Sequence, residues 1–224
     1  MNKYLGEFIG TFGLVFAGTG SIIINDLRGG VITHVGIAIT FGLIVMAMIY
    51  SVGDISGAHL NPAVTIGFWL AKRLPSRVVP GFIGSQFAGG ISASLILKLI
   101  FPNQESLGGT IPTIPIPAAF AMEVILTFFL MFVIIHVAVG AKEVGLMAGV
   151  AIGATVALSA LFAGPVTGAS MNPVRSLAPA LVSWRWDHQW IYVVAPLIGS
   201  AMAVGTCKVM RKGGCCTTEL SRSS

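Results

Sequence analysis

Long apolar runs broken by short polar turns set the pattern of this chain. Tyr4 to Ile24, Thr33 to Val52, Val78 to Phe101, Ala118 to Val139, Leu146 to Phe162 and Trp190 to Met210 form six such runs. Each comes near the roughly 20 apolar residues that carry a helix across a bilayer. Two shorter apolar stretches, one in each half of the chain, open on Asn-Pro instead. They are Ser56-Gly-Ala-His-Leu-Asn-Pro-Ala-Val-Thr65 and Thr167-Gly-Ala-Ser-Met-Asn-Pro-Val-Arg-Ser176. Asn is a favoured N-cap, and Pro fits the first helical position, where its missing N–H is no loss. The spacing predicts one short helix from Pro62 to about Leu70, stopped by Lys72-Arg73-Leu74-Pro75, and a second from Pro173 to about Val182. Neither can cross a membrane. Irregular backbone at membrane depth is tolerated only inside protein or beside a cavity. Two caps meeting head to head would bring amide donors and two positive helix ends to the middle of the bilayer. A capping Asn is expected to spend its oxygen on the backbone and to leave its NH₂ donors free for a lumen.

The halves repeat. Glu7-Phe-Ile-Gly-Thr-Phe-Gly-Leu-Val-Phe16 matches Glu123-Val-Ile-Leu-Thr-Phe-Phe-Leu-Met-Phe132 at Glu, Thr, Phe, Leu and Phe. Gly36-Ile-Ala-Ile39 matches Gly149-Val-Ala-Ile152, and Ile83-Gly-Ser85 matches Ile198-Gly-Ser200. Three spans per half force the second copy to enter from the opposite side. The expected organisation is a first repeat over 1–101, a connecting loop over 102–117, a second repeat over 118–212 and a polar cytoplasmic tail over 213–224. The fold class is an all-α membrane protein, with six transmembrane helices plus two re-entrant half-helices in an inverted 3+3 repeat.

Composition agrees. Of 224 residues 55% are hydrophobic and only 9% are charged, against roughly 25% charged in soluble domains. The net charge of +5 comes with no basic patch interleaved with aromatics, so nucleic acid is not an expected partner. Lys3, Lys72, Arg73, Arg77, Lys142, Lys208, Arg211, Lys212 and Arg222 fall on the side of the termini. That bias predicts cytoplasmic N- and C-termini in a plasma membrane protein. Trp184-Arg-Trp-Asp-His-Gln-Trp190 reads as an interfacial aromatic belt. Cys207, Cys215 and Cys216 include no spaced pair, so neither a disulfide framework nor a zinc site is indicated. Glu7 interrupts the first run, and no small-residue cleavage site follows it, so no cleavable signal is expected.

The doubled Asn-Pro boxes, the doubled Glu-x-x-x-Thr-Phe and Arg175 three residues after Asn172 resemble the aquaporin (major intrinsic protein) family from Leu5 to about Lys212. Tyr50-Ser-Val-Gly53, Ile55-Ser-Gly-Ala-His59 and Ala163-Gly-Pro-Val-Thr-Gly-Ala-Ser-Met-Asn-Pro173 are similar to its nodulin-type branch and bacterial relatives. The resemblance implies a homotetramer in which each protomer holds its own pore. It implies that Asn61, Pro62 and Ala63 with Asn172, Pro173 and Val174 form the mid-pore region. Val174 departs from the usual Ala, placing a larger side chain behind the second cap. Counting from the boxes, the resemblance puts Phe41, Ala160, Ala169 and Arg175 in an outer constriction. In water-selective relatives the position of Ala160 is typically His. A methyl there widens the hole and suits glycerol, urea or neutral metalloid acids such as arsenous, boric or silicic acid.

Ser176 stands where glycerol facilitators usually carry Asp, which favours the nodulin-type reading. The resemblance implies that Glu7 and Glu123 accept from backbone N–H groups of the two irregular loops, a role preferred here over proton relay. His59 is expected in the cytoplasmic vestibule with a carbonyl-bonded ring. Asp54 reads as a solvated charge at the cytoplasmic mouth, with gating as the alternative. Cys215-Cys216 beside basic residues allows lipidation, although an unmodified tail is expected. No nucleophile triad, paired-carboxylate set, phosphate loop or metal-ligand spacing is present, so neither an enzyme nor a cofactor is expected. The reading is a passive channel for small neutral solutes and water that excludes ions and protons; the alternative is a water-selective aquaporin.

Overall fold

The computed structural model describes residues 2–137 and 146–211. Lys142-Glu143, Cys215, Cys216 and the tail expectation therefore lie outside the described residues. Eight helices are described: α1 (Asn2–Leu27), α2 (Thr33–Ser56), α3 (Pro62–Leu70), α4 (Val79–Ile100), α5 (Ile116–Val137), α6 (Ala148–Thr167), α7 (Pro173–Ser183) and α8 (Ile191–Met210). A single 3₁₀ turn, Ser76–Val78, leads into α4, and the described residues contain no strand. Six helices are long and apolar enough to cross a membrane; α3 and α7 are not. Several helices outrun their apolar windows, because hydropathy marks the lipid crossing and not the last turn. Thus α2 continues through Ser51 and Asp54 to stop at Gly57, whose φ of +88° breaks the helix.

The spans pack as two matching sets. α1 lies against α2 and α4, α5 lies against α6 and α8, and α2 packs on α6. Each half-helix crosses over to the other half: α3 packs on α8, and α7 on α4. Glycines mark the tightest crossings. A methyl at Gly89 would lie 2.3 Å from the Phe8 carbonyl oxygen, and one at Gly199 would lie 2.3 Å from that of Val124. Methyls at Gly42 and Gly153 would each lie 2.6 Å from the other's carbonyl oxygen. These contacts correct the register read from short identities. The partner of Gly199 in the first half is Gly89, not Gly84, where an added methyl meets open space. Gly153 likewise answers Gly42, and the match of Gly36 to Gly149 does not hold: Gly36 faces only its own turn, while Gly149 packs on Tyr50. Close approach of backbones, not identity of tripeptides, is what the two halves share.

Polarity is inverted relative to a soluble protein. Glu7, Gln86 and Glu123 are fully buried, whereas Leu43, Leu99, Ile125, Phe129 and Leu158 are exposed. So large an apolar exterior suits lipid, not water. Trp184, Trp186 and Trp190 are exposed near one end.

Candidate functional site

The local sequence builds two similar loops. Asn61 is extended, and its side chain accepts from Ala63 N–H at 2.8 Å. Asn172 repeats this with Val174 and Arg175 N–H at 3.0 and 3.4 Å. Pro follows at the first position in both. Before each cap the chain alternates hands: Gly57, Ala58 and Leu60 have positive φ in one loop, and Gly168, Ala169 and Met171 in the other. Non-glycine residues with positive φ are strained, so something must hold them. Two carboxylates do. Glu7 accepts from His59 N–H (2.9 Å) and Leu60 N–H (2.8 Å), and from Gln86 Nε2 at 2.7 Å. Glu123 accepts from Ser170 and Met171 N–H, both 2.9 Å, and from the Thr167 hydroxyl at 2.8 Å.

With their N–H groups drawn back to the glutamates, the loops turn their carbonyls the other way. Residues 57–61 and 168–172 line one cavity of about 400 Å³. The carbonyls of Gly57, Ala58, His59, Gly168, Ala169 and Ser170 receive no hydrogen bond from any described residue. Polar acceptors lining a cavity without a protein partner are the ones that water or a hydroxylated molecule satisfies. Much of the remaining wall is apolar, with facing stripes of Ile37, Phe41, Val45 and Ile49 on α2 and Ala148, Ile152, Val156 and Ala160 on α6.

The two caps meet, with one correction. Asn61 Nδ2 donates to Met171 O at 2.8 Å, and Asn172 Nδ2 donates to Leu60 O at 2.9 Å. Each amide therefore spends one of its two N–H bonds joining the halves, and one remains for the cavity. Behind the caps, Ser200 donates to Ala63 O at 2.7 Å. Val174 is fully buried and fills the space above Gly90.

Phe41, Ala160, Ala169 and Arg175 all line the cavity. Arg175 is 3% exposed, and its guanidinium carbon lies 4.9 Å from the Phe41 ring centre. Gly18 makes room for that ring: a methyl there would sit 2.2 Å from Phe41 Cε1. Arg175 Nη1 donates to Gly108 O at 2.9 Å, and its buried Nε has no protein partner. His59 lines the opposite part of the cavity, stacked on Phe68 at 4.6 Å. Its Nδ1 meets the Thr65 hydroxyl at 3.2 Å and not a carbonyl. Asp54 is exposed in the last turn of α2. Among the described residues no cluster of metal ligands occurs.

Sequence reasoning passed over several residues at this site. Gln86 joins Glu7 to Thr65; a buried amide within an apolar span was its only signal. His34 lines the cavity and bonds Leu161 O at 2.8 Å. The connecting loop is no mere tether, since Gly109, Ile111 and Thr113 line the cavity and Thr113 N–H bonds Val166 O at 3.0 Å. No pattern in residues 102–117 announces that.

The family model described as "Major intrinsic protein" matches residues 1–206. A putative aquaporin NIP4-1 of Arabidopsis thaliana is 50% identical over 198 residues, covering 88% of this chain and 70% of that protein. Nodulin-26 of Glycine max is 44% identical over 212 residues, covering 94% and 78%. The solved structure of the aquaglyceroporin from Plasmodium falciparum superimposes with a TM-score of 0.83 at 24% identity, covering 94% of this chain and 98% of that one; at that identity the likeness speaks for the fold. A matched family model over nearly the whole chain, and relatives of this identity and coverage, establish that the chain belongs to the major intrinsic protein family.

Proposed function

We propose that this chain is a passive channel for water and small uncharged solutes, with glycerol, urea and neutral metalloid acids as the solute class. The observation that carries the reading is that two methyls (Ala160, Ala169), one aromatic face (Phe41) and one cationic edge (Arg175) line the same cavity, and we read them as its outer constriction. Such an aperture offers donors and apolar contact to a hydroxylated molecule and nothing to neutralise a cation. Deeper in, the N-termini of α3 and α7 face the caps, and their positive dipole ends repel cations. One remaining N–H on each of Asn61 and Asn172 donates to a passing oxygen, which interrupts a proton-conducting water chain there. The unpaired carbonyls on either side replace the solute's lost hydration. Glu7 and Glu123 act as anchors for the loops; with every oxygen occupied by backbone or side-chain donors, they are poor proton relays.

The termini are placed in the cytoplasm of the cell membrane on the basic bias toward that side. A homotetramer, with one pore per protomer, is proposed from the family.

Stopped-flow light scattering on proteoliposomes tests the reading. Glycerol, urea and water should all enter faster than in protein-free vesicles, without dependence on a proton or sodium gradient. Ala160→His should sharply reduce glycerol entry and spare water. Fast water with no solute entry in the wild type would establish the water-selective alternative.

A further inference from the structure

Arg175 is held by few groups for a cation only 3% exposed. Among the described residues the single ion pair is Arg185 with Glu105, on the surface. Arg175 has instead one fixed hydrogen bond, Nη1 to the carbonyl of Gly108. That carbonyl belongs to the connecting loop, so the loop's seat decides where the guanidinium lies over Phe41.

The seat is built on two sides. On one, Leu107 is fully buried beside Ile23 and Leu97. Leu107 and Gly108 both take positive φ, and a methyl on Gly108 would meet Thr19 O at 2.6 Å. On the other side stands Thr110, fully buried. Its hydroxyl donates to Ser176 Oγ at 2.8 Å, and its carbonyl accepts from Gln189 Nε2 at 2.8 Å. Its methyl rests in the hollow left by Gly168. Gln189 is 5% exposed, and its buried Oε1 has no protein partner. The short bond that this buried amide makes is to Thr110, and losing it would leave a further buried group unpaired.

We propose that Gln189 and Thr110 are positioning residues that latch the connecting loop and thereby set the width of the aperture at Arg175. Neither lines the cavity; both act through Gly108. The proposal rests on the reading of Arg175 as the edge of a solute aperture. Releasing the latch frees the Gly108 carbonyl to move, the guanidinium follows it, and larger polyols gain entry relative to water.

The test compares water, glycerol and the four-carbon polyol erythritol in proteoliposomes. Gln189→Met and Thr110→Val keep size and remove the donors. Each should raise the erythritol-to-water permeability ratio by about fivefold, the population shift expected from losing one buried hydrogen bond. Thr110→Ser, which keeps the hydroxyl, should hold the ratio near wild type. In an Arg175→Ala background, Gln189→Met should change the ratio no further, a readout that a general packing defect would not spare. Variants that assemble as wild type yet leave the ratio unchanged would overturn the latch, as would an effect that persists without Arg175. Should Gln189→Met not assemble, the Thr110→Ser and Thr110→Val pair decides the matter on the hydroxyl; should Thr110→Val not assemble, Gln189→Met decides it. A wild type that passes water but no glycerol would overturn the solute aperture and the latch with it, whereas a wild type that passes glycerol while the variants leave the ratio unchanged would overturn the latch alone.

Discussion

Val174 and Gly90 form a coupled pair whose energetics follow from their geometry. A methyl at Gly90 would lie 2.4 Å from Val174 Cγ1, 3.2 Å from Ala178 Cβ and 3.5 Å from Val15 Cγ2. Val174 sits in the first turn of α7 and is fully buried. A β-branched residue in a helix has one strongly preferred χ1, so it cannot swing aside cheaply. Gly90→Ala alone overpacks the site at about 1–3 kcal/mol. Roughly 1 kcal/mol of that is offset because Ala is the better helix former. Val174→Ala alone removes two methyl groups, about 1.6 kcal/mol of transfer energy at ~0.8 each. With the cavity left behind, the cost reaches about 2–3 kcal/mol. In the double variant the methyl on residue 90 enters the volume that Cγ1 vacated, so the two losses do not add. The expected coupling is about 2 kcal/mol toward wild type. Thermal unfolding of all four proteins in one detergent measures it: each single variant lowers Tm, and the double recovers most of the loss. A double variant whose Tm loss equals the sum of the singles would refute the packing argument, and Val174 would then need another explanation.

Three further outcomes are expected. Gly89→Ala and Gly199→Ala should abolish folded protein, since the new methyl would meet backbone at 2.3 Å, while Gly84→Ala in open space should behave as wild type; size-exclusion profiles decide, and a tolerated Gly89→Ala would undo the register. Glu123→Gln replaces an acceptor-only group by one with donors facing Ser170 and Met171 N–H. It should leave at least one buried N–H unpaired, at about 1–3 kcal/mol, seen as a lower Tm together with reduced water flux; an unchanged Tm would remove Glu123 from its anchoring role. Gly18→Ala drives a methyl into the Phe41 ring and should slow glycerol entry more than water entry; equal slowing of both would mean the ring does not bound the aperture.

Much of the architecture was legible in the chain because its signals are local. Apolar runs of membrane length need no partner to be recognised, since lipid imposes them one helix at a time. Asn-Pro announces a helix start from the chemistry of two adjacent residues, and α3 and α7 begin at those prolines. Doubling of the Asn-Pro and Glu-x-x-x-Thr-Phe motifs pointed to two halves, and the lysine and arginine bias to an orientation. Phe41, Ala160, Ala169 and Arg175 could be picked by counting from the boxes, and all four line the cavity.

What escaped depends on contacts between distant segments. The register of α4 against α8 is set by where a backbone comes within van der Waals distance of another helix, and a tripeptide identity carries no such information. Each Asn keeps one N–H for the cavity because the other is spent on a carbonyl that sequence places more than a hundred residues away. The connecting loop looked like a tether because glycine and proline speak only of turns. Its carbonyl at Gly108 became the partner of Arg175 when Leu107, Thr110 and Gln189 found their seats in the folded chain. Sequence alone determined which segments cross, which begin helices and which residues bear charge. Tertiary structure decided which donor meets which acceptor, because a hydrogen bond is lost within an ångström or so of misplacement and only packing sets positions that finely.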